Sequence, residues 1–158
     1  MGNFSGKFDS AKQDWTTPDE MFDRLNIEFD FEIDLAASES NSKCKVFFDE
    51  SNDAMDQEWD KTGWLNPPYG ATGKYKLSAW IKKAYEQANK HDTCIVVLTP
   101  ARTNTGWWHK YCMRAREIKF LEGRPKFGNA THGLPQPLAL IVFARSDELK
   151  ISSFKIRN

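Results

Sequence analysis

Residues 77–90, LSAWIKKAYEQANK, carry apolar groups at Leu77, Trp80, Ile81, Ala84, Tyr85 and Ala88. That spacing repeats with the turn of a helix and predicts an amphipathic one. Upstream, TTPDEMFDRL predicts another helix, with Met21, Phe22 and Leu25 on its apolar face. Thr17 suits a helix cap, Pro18 the first helical position, and Glu20 the far side of a capping box. TGWWHKYCMRA predicts a third helix. Between helices the period changes. FEIDLAA alternates Phe31, Ile33 and Leu35 with polar residues and predicts a strand ending near Asp34. KVFFDES and GWLNPPYG predict short strands, the latter stopping at its prolines. TCIVVLTP is continuously apolar between turn signals, as in a strand buried on both faces. EIKFLEG and PLALIVFA predict two more strands, joined by the Gly- and Pro-rich RPKFGNATHGLPQ, a long loop.

Strands alternating with helices predict an α/β fold with a mostly parallel, doubly wound sheet. The last two predicted strands have no helix between them, which predicts an antiparallel edge hairpin. Ligands of such sheets bind beyond the carboxyl ends of the strands. Asp34, Asn66 and the Thr99-Pro100 pair all fall at predicted carboxyl ends, so one crevice there is the expected site.

A chain of 158 residues without repeats or low-complexity stretches is expected to form a single domain over 1–158. No apolar run approaches a membrane span. The start MGNFSGKFDS has no apolar signal core, which predicts an intracellular protein. Gly6 stands where a myristoylation motif needs Ser or Thr. Cys44, Cys94 and Cys112, with His91, His109 and His132, have no ligand spacing, so no metal site is expected. Net charge is zero but unevenly spread. Residues 1–100 hold 11 Lys and Arg against 18 Asp and Glu, whereas 101–158 hold 11 against 4. The basic part suits a polyanion, or is ordinary solvated surface.

LNPPYG, residues 65–70, carries the chemistry. Asn66 and Pro67 each precede a proline and are held extended, away from helical bonding. Pro67 and Pro68 have no N–H to offer. The stretch therefore presents acceptors, the Asn66 side-chain oxygen and the Pro67 carbonyl, beside the flat ring of Tyr69. Two acceptors and a ring suit a planar group bearing an NH₂. The amine of adenine is a poor nucleophile because its lone pair is delocalised into the ring. Two acceptors, each taking one N–H, localise that pair so that it attacks an electrophilic methyl group. Stacking on Tyr69 is worth about 1–3 kcal/mol, and orientation supplies much of the rest.

In their order and spacing, WTTP, FEIDLAAS with NSKC, NDAM, WLNPPYG, WIKKA, LTPARTNTGWWH and FLEGRPKF span most of the chain. The sequence thereby resembles the small phage-type, Dam-like DNA N6-adenine methyltransferases. The resemblance implies a Rossmann-like methyltransferase fold, S-adenosylmethionine as cofactor, and Asn66, Pro67, Pro68 and Tyr69 as catalytic residues. It places the methionine end of the cofactor near Trp15, Thr17 and Asp34, with Ala36 in the following loop. Asp49 or Glu50 suits the ribose hydroxyls, and Asp53 the cofactor's adenine amine. The sequence departs from the common glycine-rich loop, because Ala36, Ala37 and Ser38 stand there instead.

The implied substrate is an adenine flipped from double-stranded DNA, with GATC implied only by the Dam-like label. Arg102, Lys110, Arg114, Arg116, Arg124 and Lys126 are phosphate candidates, and the loop over 124–137 is the candidate for reading the groove. Phe127 either stacks on the far face of the flipped base or packs. Trp107, Trp108 and His109 read as structural. With little room for a separate recognition domain, sequence reading falls to loops, a second copy of the chain or a partner, and a homodimer is expected. The expected location is the cytoplasm of a bacterial or phage-infected host cell. The alternatives are methylation of RNA adenine or protein glutamine by the same motif, or a catalytically silent nucleic-acid-binding module on this fold.

Overall fold

A computed structural model describes residues 16–70 and 73–157. The elements follow in the order α1 (Asp19–Phe29), β1 (Ile33–Asp34), β2 (Val46–Phe47), β3 (Gly63–Leu65), α2 (Leu77–His91), β4 (Ile95–Pro100), α3 (Gly106–Lys110), β5 (Glu117–Glu122), β6 (Leu138–Phe143) and β7 (Lys150–Lys155). Short 3-10 turns cover Ala54–Asp56 and Cys112–Arg114. The seven strands form one sheet in the order β2-β1-β3-β4-β6-β5-β7. β2, β1, β3 and β4 are mutually parallel. β6 runs antiparallel to both β4 and β5, and β7 pairs parallel with β5. The mixed α/β sheet, mostly parallel with antiparallel pairs around β6, is that of a Rossmann-like methyltransferase fold.

β4 shows why the continuous apolar run was informative. All six of its residues are buried. Ile95 and Val97 face the side covered by α2, with Trp80, Ile81 and Ala84. Val96 and Leu98 face the side covered by α1, with Met21, Phe22 and Leu25. A strand sandwiched this way has no polar face to display.

Three sequence expectations are corrected. Thr17 does not cap α1. Pro18 holds that position with φ −55° and ψ 133°, and no side chain caps the helix. The Pro18 carbonyl accepts the N–H of Phe22 at 3.1 Å, while the Thr17 hydroxyl is engaged elsewhere. The helix expected from TGWWHKYCMRA is two pieces, α3 and the 3-10 turn after it, with Thr105 accepting from the Trp108 N–H at the start. Finally, β7 lies outside the β5/β6 pair. Its sequence KISSFK has no continuous or cleanly alternating apolar pattern, because four of its six residues are exposed at the sheet edge and none is fully buried.

Candidate active site

The carboxyl ends of β1 and β3 open into a cleft of about 970 Å³. Asp34 is the last residue of β1 and is buried at 3 % exposure. Its Oδ1 accepts from the Ala36 N–H at 3.3 Å and its Oδ2 from the Lys43 N–H at 3.0 Å. One carboxylate thus ties both ends of the loop that follows β1. Burial pushes its pKa up, and the two backbone bonds and the nearby Lys43 charge partly oppose this. Among the described residues none between Leu35 and Phe48 takes a positive φ. This loop therefore needs no glycine for its backbone shape, which accounts physically for Ala36, Ala37 and Ser38. The Ala37 N–H donates to the Phe48 carbonyl at 2.9 Å, tying the loop to the end of β2.

Asp49 follows β2 and lines the same cleft. Its Oδ1 accepts from the Ser51 N–H at 2.8 Å and the Ser51 hydroxyl at 2.6 Å. The Ser51 hydroxyl and these backbone donors hold the carboxyl below the usual range. Asp53 takes φ 32°, a left-handed value that Asp tolerates better than most residues. Its Oδ1 accepts from the Met55 N–H at 3.1 Å. Its Oδ2 accepts from the Tyr75 hydroxyl at 2.7 Å and pairs with the Lys74 ammonium. Lys74, and then Tyr75, hold its pKa down. The sequence reading did not single out Lys74 and Tyr75, which also line the cleft. Their signal was position, directly after the Gly-containing loop that follows Tyr69.

Asn66 follows the last residue of β3. Its Nδ2 donates to the Thr17 hydroxyl oxygen at 3.2 Å. Its Oδ1 lies 2.9 Å from the Tyr69 hydroxyl, which also reaches the Leu98 carbonyl at 3.1 Å. Thr17 is buried at 3 % exposure, and Asn66, Pro67, Pro68 and Thr17 all line the cleft. Tyr69 is half-buried with its hydroxyl turned inwards, and burial pushes its phenol well above the usual range, so it stays protonated. Of the three expected strand ends, Asp34 and Asn66 meet in the cleft. Thr99 is fully buried in β4 and is not among the cleft residues. Trp15 lies outside the described residues.

The basic candidates separate. Arg102 follows β4, and Arg124 and Lys126 follow β5, so all three are exposed beyond the same carboxyl edge as Asn66. Arg116 precedes β5 and donates to Cys94 Sγ at 3.8 Å, beyond the opposite edge. Of the two readings of Phe127, stacking on a flipped base or packing, the structure shows packing. The residue is 4 % exposed and packs with Phe22, Leu134 and Leu138, so its ring faces the core. The loop around it is tied to the site, because the Gly128 N–H donates to the Thr16 carbonyl at 3.0 Å. Trp108 is buried and His109 Nε2 sits 2.7 Å from the Thr103 carbonyl, consistent with structural roles.

A family model described as DNA N-6-adenine-methyltransferase (Dam) matches residues 5–146. A DNA N-6-adenine-methyltransferase of Escherichia phage T1 is 32% identical over 117 residues, 72% of this chain and 47% of the relative. One of Haemophilus phage HP1 (strain HP1c1) is 29% identical over 117 residues, 71% of this chain and 64% of the relative. The chain therefore spans between about half and two thirds of the length of the curated relatives it matches.

Proposed function

The chain belongs to the DNA N-6-adenine-methyltransferase (Dam) family, and on that premise we propose that it methylates the exocyclic amine of adenine in DNA, with S-adenosylmethionine as donor. The observation that carries this reading is the placement of Asn66-Pro67-Pro68 in the wall of a cleft shared with Asp34, Asp49 and Asp53.

The cleft's donor set fits such a cofactor. A buried carboxylate at Asp34 suits an ammonium group. Asp49, in the turn after β2, suits vicinal ribose hydroxyls, and Asp53 beside Tyr75 suits an adenine amine. The small side chains of Ala36 and Ala37 leave room for close approach of the backbone. When bound, S-adenosylmethionine supplies an electrophilic methyl group. The chain's own residues do the rest. The Asn66 amide oxygen and the Pro67 carbonyl accept the two N–H bonds of the target amine, which draws its lone pair out of ring conjugation. Tyr69 supports the base, with its hydroxyl held from behind by Asn66 and Leu98. Thr17 and Asn66 hold each other in place. The target nitrogen would take the methyl carbon as that carbon's bond to the sulfonium sulfur breaks, the bonding pair staying on sulfur to leave the thioether S-adenosylhomocysteine, and would then lose one proton to solvent.

In duplex DNA the amine lies inside the stack, so the base must be flipped at a cost of a few kcal/mol. Arg102, Arg124 and Lys126, exposed beyond the same edge, are the residues proposed to hold the phosphates and offset that cost. GATC is the first target to examine. The experiment is transfer of a labelled methyl group in competition among duplex DNA, RNA and a glutamine-containing peptide. Label in DNA adenine, lost in Asn66→Ala, supports the proposal. Label in RNA or peptide instead moves the substrate, and cofactor binding without transfer to any of the three makes the protein a binding module.

A further inference from the structure

We propose that Lys43 binds the α-carboxylate at the cofactor's methionine end, beside Asp34 on its ammonium, and that Asp19 is the partner Lys43 gives up to do so. The proposal rests on the S-adenosylmethionine reading above. An α-amino acid carries both charges on one carbon, so its site needs an acid and a cation side by side. Asp34 and Lys43 meet that need, and both line the cleft. The Lys43 N–H donates to Asp34 Oδ2 at 3.0 Å, which fixes the base of the lysine side chain next to the buried carboxylate. The loop between them is closed by bonds of its own. The Ser38 N–H donates to Asn41 Oδ1 at 2.7 Å, and the Ser42 N–H to the Ser38 carbonyl at 3.0 Å.

The charge of the cleft makes such a cation necessary. Asp34, Glu39, Asp49, Glu50 and Asp53 all line it. A ligand carboxylate entering among them is repelled unless a cation meets it. The described lining residues include two cations, Lys43 and Lys74. Lys74 is committed to Asp53, the residue given above to the adenine amine. Lys43 is committed only to Asp19, in the first turn of α1. The Asp19 side chain is 87 % exposed, whereas that of Lys43 is 10 % exposed. Water screens a pair with so exposed a carboxylate, so the pair contributes little. A carboxylate held inside the cleft is screened less and competes well for the same ammonium.

The test is isothermal titration of the full chain with S-adenosylhomocysteine and with its decarboxylated analogue, which keeps the ammonium and loses only the carboxylate. Wild-type protein should prefer the carboxylate-bearing ligand by roughly 10- to 100-fold, the range of a hydrogen bond to a charged group. Lys43→Gln should erase that preference by weakening S-adenosylhomocysteine alone, and Lys43→Arg should keep most of it. Equal weakening of both ligands in Lys43→Gln would make Lys43 a structural tie and overturn the proposal. A preference that survives Lys43→Gln overturns it too. Asp19→Asn separates the two partners, because it breaks the surface pair and leaves the cation. Its preference should equal or exceed that of wild type, and a loss matching that of Lys43→Gln would contradict the exchange. Binding of both ligands by wild-type protein without preference refutes this proposal alone and needs no variant. Failure of wild-type protein to bind either ligand refutes the cofactor reading and the proposal with it.

Discussion

Replacing Asp34 by Asn would separate the loop pinning that the carboxylate performs from the cofactor binding proposed for it. The carboxylate accepts from the N–H groups of Ala36 and Lys43. Asn keeps one oxygen and turns an NH₂ towards the second donor. A hydrogen bond to a charged group is worth about 1.5–3 kcal/mol, so loop pinning alone argues for a loss in that range. Burial opposes it. Desolvation is the largest influence on this carboxyl and raises its pKa, so a neutral amide is relieved of a cost that the carboxylate carries. The net loss of stability should stay under about 2 kcal/mol, a fall in Tm of no more than roughly 4–8 °C for a chain of this size. Under the proposed function cofactor binding would have no such relief, because the ammonium would lose its counter-charge. Affinity should fall about 10- to 100-fold. Isothermal titration with S-adenosylmethionine beside a thermal scan reads both. An unchanged Kd with a Tm fall far beyond 8 °C would reduce Asp34 to a loop pin and refute the reasoning. The same carboxyl gives a pH signature. Its pKa is raised above the ordinary 3.8, so the folded state holds the proton more tightly than the unfolded chain. Its contribution to stability is present below 3.8 and is lost as pH rises through the raised value. Cofactor affinity runs the other way, falling on acidification sooner than an ordinary Asp would allow.

Gly133→Ala would place a Cβ 2.3 Å from Arg124 Cβ and 2.7 Å from its carbonyl oxygen. The loop must shift, at a cost of about 1–3 kcal/mol, and limited proteolysis should cut it faster; unchanged proteolysis and denaturation would contradict the packing. Glu58 is held down to about 2 by Lys90 and His91. Its pKa is depressed, so its stabilisation is present above 4.5 and lost as pH falls towards about 2. The Tm difference between wild type and Glu58→Gln should shrink over that window, and a constant difference would argue against the ion pairs. Lys126→Ala and Arg124→Ala should each lower the salt slope of DNA binding by about one, whereas Asn66→Ala should leave it alone.

The parts of the fold that read directly from sequence are those where burial is one-sided or complete. Leu77, Trp80, Ile81, Ala84 and Ala88 are buried as their spacing predicts, and so are Met21, Phe22 and Leu25. β7 was hidden because an edge strand with exposed Lys150, Ile151 and Ser153 has no core pattern to betray it. Thr17 was misassigned as a cap for a different reason. Its local sequence fits a capping box, but a long-range partner, Asn66, took its hydroxyl. Phe127 sits in a Gly- and Pro-rich stretch that looks like open loop, yet its ring packs against α1 residues that only tertiary structure brings there. The site was legible as a set of strand ends. The Lys74–Asp53–Tyr75 cluster was not, because Lys74 and Tyr75 lie 21 and 22 residues beyond Asp53 and only the tertiary fold brings them to it.

The central claim is that Asn66 and its neighbours deliver a methyl group to adenine N6 in DNA. Base-resolution sequencing of DNA incubated with the protein and S-adenosylmethionine tests it directly and reveals the target at the same time. The account predicts N6-methyladenine at one recurring short sequence with wild-type protein and none with Asn66→Ala. Unmodified adenine throughout, or equal modification by Asn66→Ala, would contradict it.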